Sequence, residues 1–119
     1  RQSSPPLWLR RAMELAHETY RSPWSLDRFA ATIGVHPAHL SRAFRNQYGC
    51  SLGAYIRRLR MAWAGEQLAS SQTPISRIAA EAGFADQSHF TRAFTRHSRM
   101  TPGAYRRAMS SRVLPEEQD

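Results

Sequence analysis

Apolar residues recur along the chain at helical spacing, in short runs broken by glycine, proline and capping residues. Leu26, Phe29, Ala30 and Ile33 fall three and four apart, the interval that lines one face of a helix. Ser25 stands where an N-cap belongs, and Gly34 where the left-handed C-terminal residue belongs. Val35 follows and can pack back under the turn. His36-Pro37 then opens a second helix, with proline at the first helical position, where its missing N–H costs nothing. Leu40, Ala43, Phe44 and Tyr48 form the apolar stripe of that helix, and Gly49 closes it.

The same statement is made twice. HLSRAFRNQYGCSLGAYIRR (His39 to Arg58) returns fifty positions later as HFTRAFTRHSRMTPGAYRR (His89 to Arg107). Upstream, SLDRFAATIG (Ser25 to Gly34) matches PISRIAAEAG (Pro74 to Gly83) at an offset of forty-nine. The slip lies between Gly34 and His39, and insertions collect in turns, so a break between two helices is expected there. In the second copy Ile75, Ile78, Ala79 and Ala82 precede Gly83-Phe84. Asp86 is the N-cap, and Phe90, Ala93 and Phe94 form the stripe. Two helices joined by a short glycine-containing turn make a helix-turn-helix, here present in two copies.

Between the copies, Ser51 can cap a helix running over roughly residues 52–69, about 18 residues and ~27 Å long. Its apolar residues (Tyr55, Ile56, Leu59, Met61, Ala62, Trp63, Ala64, Leu68) cover more than one face, as expected of a connector touched from two sides. At the N-terminus Ser4-Pro5-Pro6 opens a helix with Leu7, Leu9, Met13, Leu15 and Ala16 on its apolar side, ending before Ser22-Pro23. Thr101-Pro102 starts a last short helix through about Met109. The pattern thus predicts an all-α chain of about seven helices. Residues 1–50 form a first helix-turn-helix subdomain, 51–72 a connector, 73–109 a second subdomain and 110–119 a frayed tail.

Charge adds a partner. The net charge is +8, all 17 basic residues are arginine, and residues 1–114 alone carry +11, because three of the acidic residues sit in the C-terminal PEEQD. So basic a small domain repels itself unless an anionic partner matches it, which points to nucleic acid or an acidic membrane surface. No apolar run approaches the length needed to span a membrane. The opening RQSSPP, without an initiator Met, is expected of a piece cut from a longer protein. Cys50 is alone, so no disulfide or thiolate cluster is expected. The pair His36/His39 has a ligand spacing but no nearby Asp, Glu or Cys to complete a metal site. With neither a nucleophile motif nor a phosphate loop, neither an enzyme nor a cofactor is expected.

The faces opposite the two stripes carry the binding chemistry. Arg42 lies nearly opposite Leu40 and Phe44, flanked by Ala38, Ser41, Arg45 and Asn46. Arg92 takes that place in the second copy, flanked by Ser88, Thr91, Thr95 and Arg96. Small residues near the helix start with one arginine a turn later would let a helix enter a major groove while Arg reaches a guanine edge.

These residues resemble the arabinose-regulator (AraC/XylS) family of bacterial transcription factors. The likeness covers about 7–109 and is most specific in IAAEAGFADQSHFTRAFTRHSRMTPGAYRR, where Ile78-Ala79, Gly83-Phe84, Phe90, Arg92, Phe94, Pro102 and Tyr105-Arg106 fit, as does Arg60. The resemblance implies two subdomains whose recognition helices enter successive major grooves. It assigns base reading to Ala38, Ser41 and Arg42, and to Gln87, Ser88, Thr91 and Arg92. Arg45, Asn46, Thr95, Arg96, Arg99 and Arg106 are the expected phosphate contacts. Two positions depart from the family: Ala38 replaces a larger residue, and Arg99 stands where glycine is common, as Gly49 stands in the first copy. The partners implied are double-stranded DNA and RNA polymerase, with effector and dimer contacts in an N-terminal domain outside this chain and residence on the bacterial nucleoid in the cytoplasm. Two other functions would suit the charge: the DNA-binding module of a larger repair enzyme, and a basic helical protein of acidic membrane surfaces. A protein-interaction bundle would suit the helices, with apolar rather than Arg-lined grooves.

Overall fold

The computed structural model describes residues 4–117, with side chains described through Ser110. Its helices are α1 (Leu7–Thr19), α2 (Leu26–Ile33), α3 (Pro37–Tyr48), α4 (Leu52–Ser70), α5 (Ile75–Glu81), α6 (Gln87–Ser98) and α7 (Pro102–Glu117). The described residues hold no strand. The chain divides into two compact units, Arg1–Leu59 and Arg60–Asp119. The boundary falls inside α4, the helix expected as a connector buried against each unit. A difference lies at the C-terminus, where α7 runs on to Glu117 instead of ending near Met109. No glycine or proline interrupts residues 104–114, so the local sequence does not stop the helix at Met109, and Pro115 falls only in its last turn.

In the first unit the chain signals its own turns. The Ser25 side chain accepts from the Arg28 amide at 3.2 Å and starts α2. Gly34 ends it at φ 92°, with its N–H on Ala30 O. The Val35 amide then also reaches Ala30 O. His36 is itself the N-cap of α3, its Nδ1 accepting from the Ala38 amide at 3.1 Å. Leu9, Ala12 and Ala16 of α1 pack with Phe29, Ala30, Leu40 and Phe44, and α4 adds Leu52 and Ile56. On α1 the pattern placed Leu7 on the apolar side, yet Leu7 is 59% exposed. Trp8, one position on, packs against the core in its place.

The second unit repeats the construction with larger aromatics. Asp86 accepts from the His89 amide at 2.8 Å to start α6. Three residues link α2 to α3 and five link α5 to α6: one is the residue that the slip in offset places in the turn, and the other arises because α5 ends one position earlier than α2. The core joins Ile78, Ala79, Ala82, Phe84, Phe90, Ala93 and Phe94 to Met61, Ala64 and Leu68 of α4. That α4 supplies residues to both cores accounts for its lack of a single apolar stripe. Ala62, expected among its apolar contacts, is exposed.

Candidate nucleic-acid interface

In each unit the second helix of the pair presents one polar face and buries the other. At 100° per residue, Ala38, Ser41, Arg42, Arg45 and Asn46 of α3 span an arc of roughly 140° on the side away from Leu40 and Phe44. Ala38, Arg42, Arg45 and Asn46 are exposed and Ser41 is half-buried. On α6, Ser88, Arg92 and Arg96 are exposed and Thr91 is half-buried, away from Phe90 and Phe94. Among the described residues, none of Arg42, Arg45, Arg92, Arg96 or Arg99 is paired with a carboxylate, so their charge is turned outward.

The two faces differ at their N-terminal ends. Gln87, Ser88, Thr91 and Arg92 together line one open concavity of about 400 Å³ on the second unit. All four are residues to which the family resemblance assigns base reading. The first helix starts with Pro37 and Ala38, which offer no side-chain hydrogen-bonding group at those positions.

Neighbouring contacts fix how each helix is held. The His39 ring lies 4.9 Å from that of Trp8, and the His89 ring 5.1 Å from that of Phe84. The recurring histidine of each copy therefore braces the helix against aromatic rings at the flank of its polar face. In the second unit Arg60 of α4 donates from Nη1 to the Gly83 carbonyl at 3.2 Å, and its guanidinium lies 5.8 Å from the centre of the Phe84 ring. Burial pushes the Arg60 pKa below its usual value. Arg60 thus ties the turn before α6 to α4, which explains an arginine the family resemblance included without giving it a role.

Three expected phosphate ligands are placed otherwise than the sequence implied, or at a conformational cost. Arg106 turns inward: its Nε donates to the Leu68 carbonyl at the end of α4 at 3.1 Å, and its Nη2 is buried without a partner. It caps α4 and does not belong to the exposed cationic face. Thr95 gives its hydroxyl proton to the Thr91 carbonyl at 2.7 Å, which leaves it only acceptor capacity toward a phosphate. Arg99 is exposed, and among the described residues it is the one non-glycine residue with positive φ, at 66°. Its N–H closes α6 on Thr95 O, as the Gly49 N–H closes α3 on Arg45 O at φ 81°.

Comparison with known proteins points the same way. A family model described as a helix-turn-helix domain matches residues 29–108. The right origin-binding protein of Escherichia coli K12 is 41% identical over 86 residues, which is 72% of this chain and 30% of that protein. The chain spans about 30% of the length of the curated relatives it matches. The C-terminal domain of AraT, a response regulator from Geobacillus stearothermophilus, superposes with a TM-score of 0.85 at 30% identity, over 89% of this chain and 88% of that one. A transcriptional regulator from Chromobacterium violaceum described by its AraC-type DNA-binding domain superposes at 0.78 with 28% identity, over 91% and 94% of the two chains.

Proposed function

The chain belongs to the AraC-type family of helix-turn-helix domains, and on that premise we propose how it meets DNA: α3 and α6 each enter a major groove of double-stranded DNA. Arg42 and Arg92 read guanine edges there, with Ala38 and Ser41 beside the first and Gln87, Ser88 and Thr91 beside the second. Arg45, Asn46, Arg96 and Arg99 bind the flanking phosphates. The observation that carries this reading is the joint position of Gln87, Ser88, Thr91 and Arg92 around one open concavity on the exposed face of α6. An uncompensated arginine, an amide and two hydroxyls supply both donors and acceptors, which is what base edges require and what a purely electrostatic surface does not need.

One unit spans only a few base pairs, too few to single out a site in a genome. Two units in one chain allow a monomer to read two adjacent half-sites, which is the reason we give for the repeat. RNA polymerase is the protein partner in this reading, met on the same DNA at the nucleoid. Effector and dimer contacts fall to an N-terminal domain outside these 119 residues. Salt titration tests the electrostatic part. With about six to eight phosphates contacted, log affinity for a duplex should fall with log salt at a slope near −5 to −7. A slope shallower than about −2 would leave too few phosphates for the proposed footprint.

A further inference from the structure

The residues shared by the two copies can be sorted by what each one touches. Ala43 and Ala93 pack on or within their own cores, Phe44 and Phe94 are buried, and Tyr55 and Tyr105 pack against the same cores. His39 and His89 brace on rings, and Arg42 and Arg92 belong to the proposed reading faces. Two exposed arginine pairs are not sorted this way: Arg28 with Arg77 in the first helix of each pair, and Arg57 with Arg107, each four residues after a recurring glycine (Gly53, Gly103) in the helix that follows the recognition helix. Both pairs are exposed, so packing does not explain why they recur.

In both units the arginine of the second pair lies beside its own glycine. A β-carbon on Gly53 would stand 3.8 Å from an Arg57 terminal nitrogen, and one on Gly103 would stand 3.6 Å from an Arg107 terminal nitrogen. Each guanidinium is therefore folded back one turn over its own glycine, toward the start of its helix. That start lies only three residues beyond the end of the recognition helix: residues 49–51 join α3 to α4, and 99–101 join α6 to α7. The last turn of each recognition helix and the residue after it carry exposed cationic or amide groups, Arg45 and Asn46 in one unit and Arg96 and Arg99 in the other. Glycine is a poor helix former. At Gly53 the tight neighbour is the Trp24 ring, 3.3 Å from where a β-carbon would stand, while both guanidinium distances are ordinary contacts.

We propose that Arg57 and Arg107 are a matched pair of DNA-phosphate ligands, one per unit, each binding the backbone just beyond the C-terminal end of its recognition helix. The ligand is a phosphodiester oxygen pair, for which a guanidinium fork is the fitting donor. This rests on the DNA-binding reading above. It also replaces Arg106, which is turned inward, by its neighbour.

The test uses the whole chain and a duplex of about 30 base pairs, long enough for two half-sites. Affinity would be followed by fluorescence anisotropy from about 50 to 200 mM salt, on a preferred sequence and on a scrambled one. Arg57→Ala and Arg107→Ala should each make the salt slope shallower by about 0.9, and the double variant by about twice that. Both sequences should weaken by the same factor, because a phosphate contact carries no base information. Arg57→Lys and Arg107→Lys, which keep the charge, should hold the slope. Arg58→Ala serves as control, being an equally exposed arginine next in the chain that the second copy replaces with Ala108; it should leave the slope as in the parent. Circular-dichroism melts of all variants should coincide. Parent-like slopes for both Ala variants, or a loss confined to the preferred sequence, would overturn the assignment while leaving DNA binding intact. Failure of the parent chain to bind either duplex would instead overturn the DNA-binding reading itself, and this pair with it.

Discussion

Replacing Arg99 by glycine should make the protein more stable and a weaker DNA binder. Arg99 holds φ 66° at the end of α6, in the conformation that Gly49 adopts at φ 81° in the first copy. A residue with a β-carbon pays about 1–2 kcal/mol to enter that region. Glycine enters it freely but loses about 0.5–1 kcal/mol more backbone freedom on folding. The difference favours Arg99→Gly by about 0.5–1 kcal/mol, which for a unit of this size corresponds to a rise in Tm of about 2–8 °C. The reciprocal change, Gly49→Ala, meets no neighbouring atom within 4 Å, so its cost is purely conformational and should lower stability by about 1 kcal/mol. If the exposed guanidinium of Arg99 binds a phosphate, the same substitution should also make the salt slope of DNA binding shallower by about 0.9. Thermal melts and salt-dependent anisotropy on one preparation read both effects. A fall in Tm would refute the strain argument, and an unchanged slope would remove Arg99 from the phosphate contacts.

Other substitutions separate the roles assigned to the two helices. Arg42→Ala and Arg92→Ala should each cost about 1–3 kcal/mol of binding and relax base preference at one position of their own half-site. Arg45→Ala and Arg96→Ala should weaken all sequences alike, and identical behaviour of the two classes in binding-site selections would show that the facing assignment is wrong. Phe44→Ala and Phe94→Ala should destabilise their units by about 3–5 kcal/mol, since each ring is almost wholly buried at the centre of its core. Calorimetric transitions near the parent's for both would contradict the packing described.

Period and punctuation made most of the helix pattern readable before any coordinates. Ser25, Gly34, Pro37, Gly49 and Asp86 each have a local chemistry that fixes a helix end without help from distant residues, and each stands at the end of the helix expected. The misses at Arg106 and Leu7 lie in contacts remote along the chain, while those at Thr95 and the end of α7 are local. Arg106 and Arg107 are adjacent and chemically identical. What draws the first one inward is the Leu68 carbonyl, 38 residues away, which no local pattern reveals. Leu7 is exposed while Trp8, to which the pattern gave no role, packs against the core beside His39. The exposed face of each second helix was legible because a helix has only one face left once its stripe is assigned; the base-reading roles on it came from the family resemblance. Arg57 and Arg107 were overlooked although the repeat already contained them. The available signal was a glycine four residues ahead of an exposed arginine, present in both copies.

The central claim, that one chain reads DNA with two helices, is tested most directly by selecting bound duplexes from a random-sequence pool with the 119-residue chain, then repeating the selection with Arg42→Ala and Arg92→Ala. The parent should enrich two short half-sites about one helical turn, ~34 Å, apart. Each variant should lose information at one position of one half-site and keep the other half-site whole. A pool that enriches a single half-site, or loses the same position with both variants, would contradict the claim that both copies read DNA.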